Sequence, residues 1–175
     1  AYGEGGAVVT NNPDYDKTIR MLRDWGQEKK GFHDIPGFNA RMSGFQGAVL
    51  GVKLKYLEEW TEARREKAKV YDGCLSDKEI IRPTALPGNR HVYHVYAIRT
   101  KNRESLKQTL SEAEIAFGVH YPIPAHLQKG YTSLGYETGD FPISETLAKE
   151  TLSLPVYPEL SEKNIYHIAD VIGKS

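Results

Sequence analysis

Apolar and polar positions along the chain change period several times. Ala7-Val8-Val9-Thr10 is a short β-branched run that predicts a buried strand. Asn12-Pro13 follows, a capping residue ahead of proline at the first helical position. Ile19, Leu22 and Trp25 then mark one side of a helix that Gly26 stops. From Gln27 to Arg41 there is no period, which predicts a long loop, and long loops inside domains are commonly functional. Ser43-Gly44-Phe45-Gln46 has capping-box spacing and predicts a helix to about Tyr71, with Leu50, Leu54, Leu57 and Ala68 along one side. Glu58, Glu59, Glu62, Arg64, Arg65 and Glu66 crowd its later turns and read as a solvated face.

The texture changes near Ile80. His91–Ile98 is β-branched and aromatic and predicts a strand. Leu106, Leu110 and Ala113 predict a helix, and Ile115–Tyr121 a second strand. Pro122, Pro124 and Gly130 punctuate a loop, a short helix is expected near Ser144–Thr151, and Leu152-Ser153-Leu154-Pro155 reads as another strand. Ser161 caps a final helix whose Ile165, Ile168 and Ile172 face inward. This order implies a small α+β lobe with one sheet covered by helices.

Composition narrows the function classes. In 175 residues, 23 Lys+Arg balance 23 Asp+Glu, which argues against a duplex-wrapping nucleic-acid binder. No apolar run approaches the roughly 18 residues of a membrane span. A single cysteine, Cys74, excludes an internal disulfide and a cysteine-rich zinc site, and fits a reducing cytoplasm. The chain opens Ala1-Tyr2-Gly3-Glu4-Gly5-Gly6, without initiator methionine or signal segment, as if cut from a longer polypeptide.

Few residues suggest chemistry by themselves. Gly3–Gly6 feeds a strand rather than a helix N-terminus, so a tight turn suits it better than a phosphate loop. His91 and His94, three apart on an expected strand, face opposite ways and read as structural; no metal site is expected. His120-Tyr121-Pro122-Ile123-Pro124-Ala125-His126 places two imidazoles and a phenol where a strand meets a proline-stiffened loop. That arrangement suits a polar, hydroxylated or phosphorylated ligand, and equally a satisfied loop. Asn39 and Arg41 offer a neutral donor and a planar charged fork fit for phosphate, or else a turn asparagine and a surface arginine. The residues alone reach two polar loops in a two-part chain and no catalytic set.

At these loops the chain resembles the DegT/DnrJ/EryC1/StrS family of sugar-nucleotide aminotransferases dependent on pyridoxal phosphate (PLP). The resemblance runs in order through Gly3–Thr10, Leu22–Gln27, Gly37–Met42, Leu54–Leu57 with Trp60, His91–His94, His120–Gln128, Gly139–Pro142 and Leu152–Pro155. It implies an α/β fold. Residues 1–75 would form the end of a fold-type-I PLP-binding large domain plus a long connecting helix, and residues 76–175 a small C-terminal α+β domain.

The resemblance places the Schiff-base lysine upstream of Ala1, so no catalytic residue is expected within this chain. Asn39 matches the asparagine that crosses the dimer interface to the PLP phosphate of the neighbouring subunit. Arg41 and the Lys29–His33 stretch, His33 included, lie beside it toward the nucleotide diphosphate. His120 and Tyr121, with His126, match the segment lining the sugar pocket. The implied activity transfers an amino group from glutamate to a nucleoside-diphosphate keto-sugar, in a cytoplasmic homodimer with a shared active site. Two alternatives stand beside it: a PLP-dependent sugar dehydratase of the same family, with histidine replacing the lysine, and a non-catalytic dimerisation or binding module.

Overall fold

The computed structural model describes residues 1–76 and 79–174. The chain divides into two compact units, Ala1–Leu57 and Glu58–Ser175. Among the described residues no helix is long and apolar enough to cross a membrane.

In the first unit, helix α1 spans Pro13–Arg23. Asn12 caps it by accepting from the amides of Asp14 and Tyr15, and Pro13 occupies the first turn as expected. Asp14 and Asp16 near its start and Arg20 and Arg23 near its end complement the helix dipole. Beyond it, Gln27–Lys29 (β1) and Phe32–His33 (β2) form a small antiparallel hairpin inside the stretch expected to be loop. Its strands are too short to show a period.

Helix α2 covers Gly44–Lys53. A 3-10 turn at Leu54–Tyr56 joins it to α3, Leu57–Cys74, so the long helical run expected from Ser43 is present but tightens midway. Ser43 caps α2 through the Gln46 amide, yet the reciprocal half of the capping box is missing. Gln46 instead turns its carboxamide to the backbone of Tyr2, accepting from its N–H at 2.7 Å and donating to its carbonyl. Residues 7–10 do not form the expected strand: a strand needs a neighbour for its backbone groups, and among the described residues none pairs with them. Neither α1 nor α2 contains a buried residue, and Val9, Phe38, Phe45 and Leu54 stand exposed.

The second unit holds the hydrophobic core. Tyr96–Arg99 (β3) pairs antiparallel with Thr151–Leu154 (β4), matching Tyr96 to Leu154 and Ile98 to Leu152. Isolated bridges Ile81–Arg99 and Gly118–Ser153 extend the ladder on either side. Around it pack Ala68 and Tyr71 of α3, Leu106 and Leu110 of α4 (Arg103–Glu112), and Ile165, Ile168 and Ile172 of α6 (Glu162–Ile172). Ser161 caps α6 by accepting from the Asn164 amide. Helix α5, Pro142–Glu150, leads directly into β4. Tyr71 stacks on Tyr96 at 4.8 Å; the first phenol donates to the Pro155 carbonyl and the second to Asp72. Burial pushes both phenols above the ordinary tyrosine value.

Two expected strands shrink. His91–Val95 lies outside β3 because its backbone is held by α3: Arg65 donates to the His91 carbonyl at 2.7 Å and Arg64 to that of Val92 at 3.3 Å. Arg90 pairs with both Glu58 and Glu62. The charged turns of α3 are thus a clasp on this segment rather than a purely solvated face. Among the described residues, Ile115–Tyr121 pairs only at Gly118. Cys74 packs against the core, and burial raises its thiol above the ordinary value.

Ile165 is fully buried. Ile165→Ala should lower the stability of the protein by about 2–5 kcal/mol, read as a reduced urea midpoint with an unchanged slope.

Candidate active-site segments

In the first unit a close crossing of backbones presents Asn39. Gly26, at φ +75°, is crossed so tightly that a Cβ there would lie 1.6 Å from the Ile35 carbonyl oxygen. One on Gly37 would lie 2.1 Å from the Gly26 nitrogen. Only two glycines permit this approach. It lets the segment leaving the hairpin run along the end of α1, where Phe38 donates to Leu22 at 2.7 Å, Trp25 to Phe38 at 2.9 Å and Ala40 to Arg23 at 2.8 Å. Asn39 is bridged to Asp24 through its backbone. Its side chain is exposed, and the carboxamide has no partner among the described residues.

Arg41 follows, with Nε 3.3 Å from Asp24 Oδ1. That carboxylate oxygen is enclosed and receives no true hydrogen bond among the described residues, so the contact is an ion pair without hydrogen-bond geometry. The Arg41 side chain is 55% exposed. His33 is exposed but anchored: its Nδ1 lies 2.8 Å from the Trp25 carbonyl oxygen. A carbonyl only accepts, so Nδ1 carries the proton, and Nε2 keeps a lone pair in the neutral ring. An open cleft of about 880 Å³ in this unit is lined by Glu4–Val8, one side of α1 and residues 38 and 40–42, including Arg20, Arg23 and Arg41. The exposed amide on a pinned backbone and the adjacent guanidinium are a donor set that fits phosphate oxygens. The Asn39 amide is the part that fits the phosphate end of PLP, and the Arg41 fork suits the paired oxygens of a diphosphate.

In the second unit His120 leans on β4. Its Nδ1 lies 3.0 Å from Ser153 Oγ, and Tyr121, 72% exposed, meets the ring edge-on at 5.8 Å. Gly118 makes room for that ring, since a Cβ there would come within 2.5 Å of His120 Cε1. His126 is placed differently. Its side chain is 8% exposed, its Nε2 is 3.2 Å from Glu145 Oε1, and its ring packs on Phe141 at 4.8 Å. Glu145 also accepts from the Gly139 amide at 2.8 Å. His126 therefore fixes the loop before α5, beside an apolar recess walled by Tyr131, Leu134, Tyr136 and Phe141.

Sequence reasoning missed Ser153, Glu145 and the Gly26–Gly37 crossing. The only local signal for Ser153 was a serine flanked by leucines in a strand, a polar residue the core must satisfy. His91 stays structural: its Nδ1 accepts from the Tyr93 amide at 2.9 Å. Among the described residues, no cluster of His, Cys, Asp or Glu could hold a metal ion.

The family model of the DegT/DnrJ/EryC1/StrS aminotransferases matches residues 1–173. The chain belongs to this family. A pleiotropic regulatory protein of Geobacillus stearothermophilus is 39% identical over 99% of the chain and 48% of its own length. A dTDP-3-amino-3,6-dideoxy-α-D-galactopyranose transaminase of Aneurinibacillus thermoaerophilus is 35% identical over 97% of the chain and 46% of its own length. The crystal structure of S. venezuelae DesV in complex with a ketimine intermediate superposes with a TM-score of 0.90. It is 32% identical and covers 95% of this chain and 45% of DesV. The chain thus spans about half the length of the relatives it matches, and its α/β fold is that of the family's aminotransferases.

Two measurements check this geometry. Gly37→Ala should speed amide exchange at Phe38 and Ala40 by about tenfold or more, because the crossing that holds them cannot form. The Glu145 carboxyl is held below the ordinary glutamate value, first by the Gly139 amide and further by His126, while desolvation opposes them. A lowered folded value stabilises the protein above the unfolded value and ceases to do so as pH falls through the folded one. The urea midpoint should therefore drop on acidification from the ordinary glutamate range downward, and Glu145→Gln should flatten that limb.

Proposed function

We propose that this chain is the C-terminal part of a PLP-dependent aminotransferase of nucleotide-sugar metabolism. It would move an amino group from glutamate to a nucleoside-diphosphate keto-sugar, in a cytoplasmic homodimer whose sites are shared. The observation that carries this reading is the Asn39 carboxamide, without a partner among the described residues and held on a pinned backbone beside Arg41, in a chain matched over residues 1–173 by an aminotransferase family. The curated names of relatives add the substrate class: the Aneurinibacillus relative is a transaminase of a dTDP-amino sugar, and a Pseudomonas aeruginosa relative is a UDP-2-acetamido-2-deoxy-3-oxo-D-glucuronate aminotransferase.

PLP, when bound, supplies an electron sink through which an amino group passes between carbon skeletons. Asn39 would donate its amide hydrogens to the cofactor phosphate of the partner subunit without bringing in charge. Arg41 keeps its ion pair with Asp24 and offers its remaining N–H groups to the nucleotide diphosphate, a planar fork suited to paired oxygens. His33 adds an Nε2 that accepts when neutral. His120 and Tyr121 would meet the sugar. His126 is assigned the placement of the Phe141 loop rather than a direct sugar contact, because Glu145 already holds its Nε2.

In the full-length protein, Asn39→Ala should weaken PLP retention by roughly 1–3 kcal/mol, read by cofactor fluorescence across a dialysis series. The unsubstituted full-length protein should form 2-oxoglutarate from glutamate beyond one equivalent per cofactor only when a keto-sugar nucleotide is supplied to take the amino group. Undiminished retention removes Asn39 from the site, and absence of 2-oxoglutarate with every keto-sugar nucleotide overturns the activity.

A further inference from the structure

We propose that Ser153 is a positioning residue for His120. It donates to Nδ1, fixes the ring proton on Nε2, and so makes His120 a hydrogen-bond donor toward the nucleotide sugar. The ligand half of this proposal rests on the reading of His120 as a sugar contact; the proton half does not.

Three observations converge on it. First, Ser153 has no freedom to move. It sits within β4, opposite Ala97, and its backbone N–H and carbonyl are both used by Gly118, at 2.8 and 3.0 Å. Second, its hydroxyl is enclosed, the residue being 4% exposed, and among the described residues its one side-chain partner is His120 Nδ1 at 3.0 Å. A hydroxyl has one hydrogen to place and an enclosed donor must be satisfied, so the hydrogen goes to Nδ1. The reverse arrangement, with Nδ1–H donating to Oγ, would leave the serine hydrogen without an acceptor. Third, the ring is seated: it lies against Gly118 so closely that a Cβ there would reach 2.5 Å from Cε1. Serine and glycine together fix where the imidazole lies and which nitrogen is bare.

Nε2 then carries the hydrogen. It has no partner among the described residues, and His120 borders a recess of about 230 Å³ that Ser153, Phe117 and Pro155 also line. A neutral N–H recognises acceptor oxygens, whether the hydroxyls or the ketone of a sugar. It offers nothing to an ammonium group, which only donates. At this position the chain offers a donor to an oxygen of the sugar.

The test is long-range proton–nitrogen NMR of the full-length protein carrying ¹⁵N-labelled histidine, at alkaline pH where the imidazoles are neutral. The expected spectrum shows a protonated Nε2 and a bare Nδ1. Ser153→Ala should give a mixture of tautomers and weaken dTDP-glucose or UDP-glucose binding about five- to tenfold, while Ser153→Thr should restore the wild-type pattern. A proton on Nδ1 in the wild type, or an unaltered tautomer in Ser153→Ala, overturns the proposal. Should the tautomer be as stated while a saturating nucleotide sugar leaves the His120 signals unmoved, the sugar-contact reading falls instead. Movement with the nucleotide sugars and none with dTDP or UDP alone supports both.

Discussion

The short ladder between β3 and β4 is the constraint on which the second unit depends. Tyr96, Ile98, Leu152 and Leu154 enter the core from it, and three helices close over them. Backbone pairing fixes the strands in register, so side-chain directions follow without further adjustment. Ser153 belongs to this ladder and also touches His120. A residue that could contact a ligand thus inherits its position from the most buried part of the molecule, which is how a loop histidine gains the rigidity of a strand.

The first unit achieves positioning by other means. With no buried side chain in either helix, it has little apolar burial of its own to hold a loop in place. The order at Phe38–Ala40 comes instead from backbone hydrogen bonds and from two glycines that let chains meet at a distance no side chain would tolerate. Asn39 is placed by the backbone bonds of the residues on either side of it and by its own bridge to Asp24.

Helices were legible where the signal was local. Asn12-Pro13, Ser161 and the isoleucines of α6 lie within a turn or two of what they control, and the structure uses them as read. Strands were not. Residues 7–10 and 91–95 have strand composition, but pairing depends on a partner far along the chain, and α3 arginines claim the second segment before any ladder can. Gln46 had capping-box spacing, yet a backbone 44 residues away offers it two bonds rather than one. The same holds at the candidate site. Asn39, His33, Arg41, His120 and Tyr121 could be singled out by type and by family resemblance. Their partners Trp25, Asp24 and Ser153 are brought to them only by the fold, and the engagement of His126 by Glu145, 19 residues on, changes what that ring can do.

The anchor of His33 has its own consequence. A carbonyl accepts from Nδ1 whether the imidazole is neutral or cationic, so proton uptake at the far nitrogen leaves the ring where it stands. This side chain can switch from lone-pair donor to positive charge with no rearrangement of the hairpin that bears it. A ring tied to a hydroxyl has no such liberty, because a second proton would compel the hydroxyl to turn its hydrogen elsewhere. The first ring is held by a bond that does not depend on its charge, and the second by one that fixes its polarity.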